Sequence, residues 1–331
     1  MNAPTPFVRV VGLSLLVVLV VSLLLTVFAW PAVHTAPNKL PLGLVAPPPA
    51  AAQIRTQLEQ TRPGGFELRA YPSEIAARAG IHRREVYGAF IFTSTGPRIL
   101  TASAASLAVA QLLVQVSSAL TTQSLTARSR VGALKDVVPA QSADPRQAGL
   151  AGAALPLVLS GILSGVLLTS QLRGGFERTA AVLLIALFGG FSVAGILQGG
   201  FGTLGRDYLL NSLAAALEVG AAAAFVVGSE SVLGARGLAL AAATLMLVGN
   251  PFSALSSAPE MLPGIWGAVG QLLPPGAFGS LMRSVAFFDG QGAIAPLVVL
   301  SSWLLLGLAL IGMGAVRKGS LSRSSATPAV S

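Results

Sequence analysis

The sequence predicts an all-α membrane protein of six transmembrane helices, with a re-entrant hairpin before the last helix and an α/β domain inserted on the outer side of the membrane. Only 10% of the 331 residues are charged and 53% are hydrophobic, whereas soluble domains carry about 25% charged residues. Several apolar runs approach or exceed the roughly 20 residues that a spanning helix needs. Most of the charges lie in one polar stretch after the first apolar run, and this stretch predicts the α/β domain.

The first apolar run, Val10–Trp30, predicts an N-terminal anchor helix within residues 1–30. Arg9 precedes the run and Trp30 ends it, as is typical of residues at the two membrane surfaces. The alternative is a cleaved signal peptide. The apolar core of a signal peptide is only about 7–15 residues long, and Trp30-Pro31 is not a small-residue cleavage site. We therefore expect the anchor to be retained.

Residues 31–147 are predicted to form the extracytoplasmic α/β domain. A short apolar run, Leu40–Ala46, is followed by alternating helical and strand-like patterns, which are Ala50–Gln60, Phe66–Tyr71, a helical stretch that opens at Ser73, Glu85–Thr93, Arg98–Ala102 and the helix Ser106–Leu120. This order implies at least one parallel pair of strands. A segment of about 115 residues can bury a core of its own. Gly132–Gln147 is the polar return to the membrane.

Residues 148–316 are predicted to be the membrane domain with five further spans. These spans are Ala148–Ser170, Thr179–Gly200, Leu209–Gly228, Leu233–Asn250 and Ala293–Val316. The fifth span of the chain, Leu233–Asn250, is short. Residues 317–331 are predicted to be a cytoplasmic tail.

The segment of about 251–291 is rich in Pro and Gly and is predicted to be re-entrant. Neither half is long enough to cross the membrane, and two short helices that enter the outer leaflet and return would satisfy their backbone groups. The residues that mark the segment are Pro263, Trp266, Pro274, Pro275, Gly276 and Arg283. We expect Arg283 to be an anchor at the outer interface.

The basic residues of the short loops predict the orientation. With the N-terminus inside, seven basic residues are cytoplasmic and only Arg206 and Arg283 are outside; the cytoplasmic ones are Arg9, Arg173, Arg178, Arg236, Arg317, Lys318 and Arg323. Cytoplasmic loops carry the excess of Lys and Arg. Both termini are therefore predicted to be cytoplasmic and the α/β domain to lie outside the cytoplasmic membrane. The Ala-, Gly- and Arg-rich composition is typical of a high-GC bacterial genome.

Several classes of chemistry have no support in the sequence. There is no cysteine and there are only two histidines, so neither a disulfide framework nor a thiolate or histidine metal site is expected. No phosphate-binding loop and no hydrolase motif occurs. The net charge of +9 is not accompanied by a basic-aromatic stripe, so we expect no nucleic-acid partner. We predict no catalytic residue, no metal and no cofactor.

Glu218 is the candidate for a substrate or proton path, because it lies near the middle of the fourth span. Inserting a charged side chain at this depth of the membrane costs at least ~2.5 kcal/mol of free energy. The side chain of Glu218 should therefore face the bundle, be protonated or have a partner. Asn211 lies on about the same face two turns earlier, and Gln198 of the third span is a further candidate for this polar patch. The alternative is a protonated or hydrogen-bonded glutamate that holds helices together.

Glycines are frequent in the spans, and we expect them to serve close helix packing. They include Gly161, Gly165, Gly189, Gly190, Gly195, Gly199 and Gly200. A gating hinge is the alternative.

The order of elements resembles the permeases of type-2 ABC exporters, and more specifically the YhgE/Pip-like membrane proteins of Gram-positive bacteria and their actinobacterial relatives. Four segments carry this resemblance, which are Glu85-Val86-Tyr87-Gly88-Ala89, Asp136-Val137-Val138-Pro139, Gly249-Asn250-Pro251 and Leu273-Pro274-Pro275-Gly276-Ala277 through Arg283 to Phe288-x-Gly290. The similarity covers nearly the whole chain in architecture, and its motifs are structural in character.

The resemblance implies a permease subunit that exports a hydrophobic or amphiphilic substrate through the membrane as a homodimer or heterodimer, in contact with membrane lipids. A separate ATP-binding subunit would then meet the cytoplasmic connection, at Arg173, Glu177 and Arg178. This connection, Gln171–Arg178, is shorter than the coupling helix of that family. The runner-up is a membrane scaffold of a secretion or envelope system that does not transport and binds partners through the outer domain. An enzyme acting on lipids is a weaker third reading.

Overall fold

The computed structural model describes residues 7–93, 96–123 and 134–324 of the chain. Residues 1–6 of the predicted anchor, the first two residues of the predicted return to the membrane and the last seven residues of the predicted tail lie outside these ranges. Within them, the chain forms a mainly helical bundle and a small five-stranded sheet.

Five helices are long and apolar enough to cross a membrane. They are α1 (Phe7–Val33), α5 (Ala148–Gln171), α6 (Gly175–Ala194, continued as a π-helical turn to Gly200), α7 (Tyr208–Leu233) and α11 (Ile294–Ser324). They coincide with five of the six predicted spans. The chain therefore has the helices of a multi-pass membrane protein.

The remaining predicted span, Leu233–Asn250, is a shorter helix. It consists of α8 (Ala235–Ala243) and a π-helical continuation, Thr244–Gly249. At about 1.5 Å per residue such a helix is roughly 22 Å long, less than the ~30 Å of the hydrocarbon layer. The sixth span stays a prediction.

Residues 34–147 contain the sheet, with strand order β2-β1-β3-β4-β5. The strands are β1 (Leu40–Val45), β2 (Phe66–Ala70), β3 (Gly88–Thr93), β4 (Gly96–Thr101) and β5 (Leu134–Asp136). β1 pairs in parallel with both β2 and β3, β3 is antiparallel to β4, and β4 is parallel to β5. The predicted parallel pairing is confirmed. The short strand β5 was missed because its three residues carry no alternating pattern.

The helices of this domain are α2 (Pro48–Thr61), α3 (Glu74–His82) and α4 (Leu107–Gln123). Ser73 caps α3, since its side chain accepts a hydrogen bond from the Ala76 amide. α2 and α4 cover one face of the sheet, where Leu42 and Phe90 are buried. Successive residues of a strand point to opposite faces, so Ala89 and Ile91 point to the other face. There they pack with residues of the membrane helices.

The segment 251–291 contains two helices, neither of which is long enough to span a membrane. They are α9 (Trp266–Gln271) and α10 (Pro274–Phe287). Twelve of the fourteen residues of α10 are buried, because the helix lies between the sheet domain and the bundle. Pairing into a re-entrant hairpin stays a prediction.

α7 is the central helix of the bundle. In its most apolar 18-residue window 78% of the residues are buried, compared with 22–33% in α5, α6 and α11 and none in α1. The segment Leu213–Ala224 contains mostly Ala, Val and Gly. Small side chains let neighbouring helices approach closely, and α5, α6, α8, α10 and α11 all pack against α7.

The absence of cysteine allows the predicted orientation to be tested with single-cysteine variants. Arg55 on α2 and Arg236 on α8 are both exposed. We expect R55C to react with a membrane-impermeant maleimide in intact cells, and R236C to react only after the cells are permeabilised. Equal labelling of both variants in intact cells would contradict the predicted orientation.

Candidate functional site

Glu218 lies inside the bundle on α7, with 1% of its surface exposed. Neither carboxylate oxygen has a hydrogen-bond partner among the residues that the structure describes. Burying an ionised carboxylate without a partner is very costly. The group therefore either carries a proton or meets a polar group supplied from outside the described chain.

Gln198 and Asn211 form a polar pair at one end of α7. The Asn211 side-chain amide donates to Gln198 Oε1 at 2.9 Å and to the Gly205 carbonyl at 2.9 Å, while Gln198 Nε2 donates to the Arg206 carbonyl at 3.0 Å. Asn211 Oδ1 is buried without a partner among the described residues. Glu218 is seven residues further along, about 10 Å at 1.5 Å per residue, and does not join this pair.

The glycines of the spans serve close packing at several positions. A Cβ atom placed on Gly161 would lie 2.7 Å from the Ala222 Cβ, and one on Gly190 would lie 2.5 Å from the Ser212 carbonyl oxygen. Both distances are too short for a real side chain, so α5 and α6 can pack on α7 only with glycine there. Gly199 has nothing within 4 Å of such an atom, and packing does not explain it.

Arg178 lies at the opposite end of α7 from Asn211 and is buried. Its guanidinium pairs with Glu230 at 2.6 Å and donates to Ser231 Oγ at 2.8 Å and to the carbonyls of Leu172 and Thr169. These bonds tie the α5–α6 connection to the end of α7. The side chain of Arg178 is thus engaged inside the chain and is not part of an exposed contact surface.

The two other residues predicted to contact a coupling subunit are on the surface. Arg173 and Glu177 are exposed, and between them Phe176 has 87% of its surface exposed. The connection from α5 to α6 consists of only three residues, 172–174. It forms a tight corner that presents one cation, one carboxylate and one aromatic ring.

The residues that marked the predicted re-entrant segment have different environments. Pro274, Pro275 and Gly276 form the buried first turn of α10. Trp266 begins α9 and stacks on Phe252, with ring centroids 4.4 Å apart. Pro263 precedes α9 in a loop where Gly264 has a positive φ of 58°. Aromatic residues of this kind are enriched at membrane–water interfaces.

Arg283 is not the surface anchor that its position after the Pro-Pro-Gly turn predicted, because α10 buries it to 4% exposure. Its Nη2 donates to the Leu255 carbonyl at 2.5 Å. Its Nε has no partner, and no carboxylate of the described residues forms an ion pair with it. The prediction failed because α10 is covered by the sheet domain and does not face the head groups.

Arg84 was missed by the sequence analysis and links the sheet domain to α10. Its Nη1 donates to the Ser280 carbonyl at 2.7 Å and to Ser284 Oγ at 2.5 Å, and its guanidinium lies 5.4 Å from the centre of the Phe288 ring. Burial lowers the pKa of the guanidinium. No sequence signal separates Arg84 from Arg83, since the partners of Arg84 are about 200 residues away.

Tyr87 makes a second link between the sheet domain and the segment 251–291. Its hydroxyl donates to Glu260 Oε2 at 2.8 Å. Burial, together with the charge of Glu260, raises the pKa of the phenol, so Tyr87 remains a donor at neutral pH. The backbone amide of Asn38 also donates to the Glu260 carbonyl at 2.8 Å. Sheet and segment are therefore joined by several direct bonds.

The described residues contain no group of three or more His, Asp or Glu side chains placed to hold a metal ion. The bundle and its junction with the sheet domain offer a buried carboxyl (Glu218), the buried amide of Asn211 bonded to Gln198, two buried guanidiniums (Arg178 and Arg283) and the partly buried guanidinium of Arg84. Of these groups, only the carboxyl can serve as a proton donor and acceptor, whereas the amides and guanidiniums can bind polar or anionic groups.

No protein-family model matches the chain, and neither the curated proteins nor the solved structures include one with significant similarity.

Replacing Arg178 by Ala should destabilise the bundle strongly. The variant leaves the partly buried Glu230 without its cation and several acceptors without a donor, and breaking a buried pair costs about 3–5 kcal/mol. Thermal unfolding in detergent measures the loss. The matched control is R173A, which removes an exposed arginine five residues earlier and should unfold like the native chain. Equal unfolding of R178A and the native chain would show that the pair contributes nothing.

Replacing Arg84 by Ala should loosen the sheet domain from α10 without unfolding either part. Two hydrogen bonds from a partly buried guanidinium are lost, and a hydrogen bond to a charged group is worth about 1.5–3 kcal/mol. We expect faster amide hydrogen exchange in α10. The control is R83A, since Arg83 is half exposed and pairs only with Glu85, and surface pairs contribute about 0–1 kcal/mol. Unchanged exchange in R84A would rule out this link.

Proposed function

We propose that the chain is a permease-like subunit that moves a hydrophobic or amphiphilic substrate across the bacterial cytoplasmic membrane. One observation carries this proposal: the most buried helix of the bundle, α7, holds a carboxyl without a partner among the described residues. Intramembrane ionisable residues that face the interior of a bundle mark substrate or proton paths. A helix that served packing alone would have no reason to keep Glu218.

In this proposal the helix Ala235–Gly249 completes six spans, and the segment 251–291 is re-entrant with its α10 held by the outer domain. Exposed Ile265 and Leu272, beside the stacked pair Phe252 and Trp266, support contact of α9 with lipid. Both termini are cytoplasmic. The excess of basic residues at the end opposite the sheet supports this orientation.

An ATP-binding subunit and a second permease copy are the proposed partners. The ATP-binding subunit would meet the corner of Arg173, Phe176 and Glu177, where the phenylalanine ring is almost fully exposed. The dimer follows from the resemblance to exporter permeases. α1, which has no buried residue in its apolar window, has free surface both for lipid and for a second copy.

A scaffold that does not transport is the second candidate, and a specific observation favours it. The connection between α5 and α6 has three residues and Arg178 is engaged with Glu230, which leaves little surface for an ATPase.

Purification from native membranes in mild detergent separates the two candidate functions. An ATP-binding-cassette protein that is recovered with the native chain, and lost from an F176A and R173A double variant, supports the permease. Recovery of outer-domain partners alone supports the scaffold.

Flux through a path that contains Glu218 should depend on its protonation. Fluorescent lysophosphatidylglycerol is followed in proteoliposomes by external quenching, between about pH 5 and pH 8. We expect a pH-dependent flux in the native chain and a slower, pH-independent flux in E218Q, because glutamine keeps the shape and cannot exchange a proton. The control is E67Q, which alters an exposed carboxylate of the sheet domain. Equal rate and pH dependence in E218Q and the native chain would exclude Glu218 from the path.

A further inference from the structure

A cavity of about 650 Å³ lies where the end of α1, the start of α5 and the loop after Gly249 meet. Phe28, Leu155 and Leu262 supply apolar walls, and Ser253, Ser256 and Ser257 come from the loop. Its size falls within the range of small-molecule sites, about 300–1,000 Å³. The cavity is therefore large enough for a ligand and is lined by both apolar and hydroxyl groups.

A smaller cavity of about 130 Å³ adjoins the larger one. The two share Ala108, Ala151, Leu255 and Ser256 in their walls, so they lie directly side by side. Arg283 and Arg146 line the small part. The combined space thus has an apolar part and a cationic part.

Arg283 makes the cationic part a site that lacks a counter-charge. Its side chain is 4% exposed, its Nε has no hydrogen-bond partner, and no carboxylate of the described chain pairs with it. Arg84 is a charged group that acts on it electrostatically, and it repels Arg283. Burying an unpaired charge is costly. An anion bound in the small cavity would provide the missing partner.

The cavity is placed so that a ligand can reach it from the membrane. Phe28, Pro31 and Ala32 of α1 form one wall, and α1 is otherwise exposed along its length. The end of α1 and the start of α5 flank the sheet domain in the chain, so the cavity lies at the outer end of the spans. A gap beside a loosely packed helix admits an acyl chain sideways.

We infer that this space binds an amphiphile with one anionic head group, with the head at Arg283 and Arg146 and the acyl chain along α1 and α5. Charge-assisted hydrogen bonds from a buried guanidinium to a phosphate or carboxylate are the strong kind. That the bound amphiphile is also the transported substrate rests on the proposed function. Binding itself can be measured whether or not the chain transports.

The test uses the full chain in phosphatidylcholine nanodiscs and a lysophosphatidylglycerol that carries a diazirine on its acyl chain. Illumination followed by mass spectrometry should place the crosslinks at the end of α1, the start of α5 and residues 250–257. Unlabelled lysophosphatidylglycerol should compete. Glycerol phosphate, which has the head without the chain, and dodecyl maltoside, which has a chain without charge, should not. Competition by glycerol phosphate at the same concentration would reduce the site to an anion site and overturn the inference.

Variants distinguish a loss of labelling caused by removing a charge from one caused by unfolding. R283Q should lower labelling at least about tenfold, because a hydrogen bond to a charged group is worth about 1.5–3 kcal/mol. The control R206Q alters an outer arginine that pairs with Asp289 and should label as the native chain does. If R283Q unfolds, R146Q, which alters an exposed arginine, and A151F, which fills the shared wall, replace it and should each reduce labelling.

Two results would show that the probe contacts the chain only as bulk lipid. One is labelling that stays unchanged in A151F and also in R283Q or R146Q. The other is labelling that is spread over all lipid-facing helices. Labelling at the site without flux in proteoliposomes would leave the binding site in place and remove the transport proposal.

Discussion

The sheet domain is held to the bundle by the burial of α10 (Pro274–Phe287), which lies between them. Arg84 reaches from the sheet domain to Ser280 and Ser284 of this helix, and Tyr87 donates to Glu260 just before α9. These bonds fix α10 against the sheet, while its opposite side packs on α7. A displacement of the sheet domain would therefore move a helix that packs on α7, the central helix of the bundle.

The same arrangement accounts for the unusual polar groups of the interior. Buried polar groups are normally hydrogen-bonded, and Arg178, Arg84 and the Nδ2 of Asn211 follow this rule at the places where elements meet, although Asn211 Oδ1 has no partner among the described residues. Glu218 and the Nε of Arg283 do not. Both lie on helices that are themselves covered, α7 and α10. The proposed substrate path and the proposed amphiphile site each begin from one of these exceptions.

Much of the architecture could be predicted because it depends on local composition. Long apolar runs gave five helices at nearly the expected positions, and the pattern of Glu85–Thr93 gave the central strand β3. Local sequence patterns failed where the shortness of an element, or its packing against a distant segment, determined the structure. β5 has three residues and exists because β4 lies beside it. Arg283 follows a Pro-Pro-Gly turn that reads as a surface feature, and it is buried because a domain some 200 residues earlier covers it.

The sequence by itself determined that the chain has the helices of a multi-pass membrane protein, where five of them lie and that a small folded domain interrupts them, since hydropathy and periodicity are properties of short segments. It also identified Glu218, because a charge within an apolar run is visible without a structure. Only the tertiary structure decided which polar groups have partners. Arg84 and Arg83 are adjacent and chemically identical, yet Arg84 is bonded to α10 in a partly buried position and Arg83 pairs with Glu85 on the surface. Long-range packing makes that difference, and no local pattern records it.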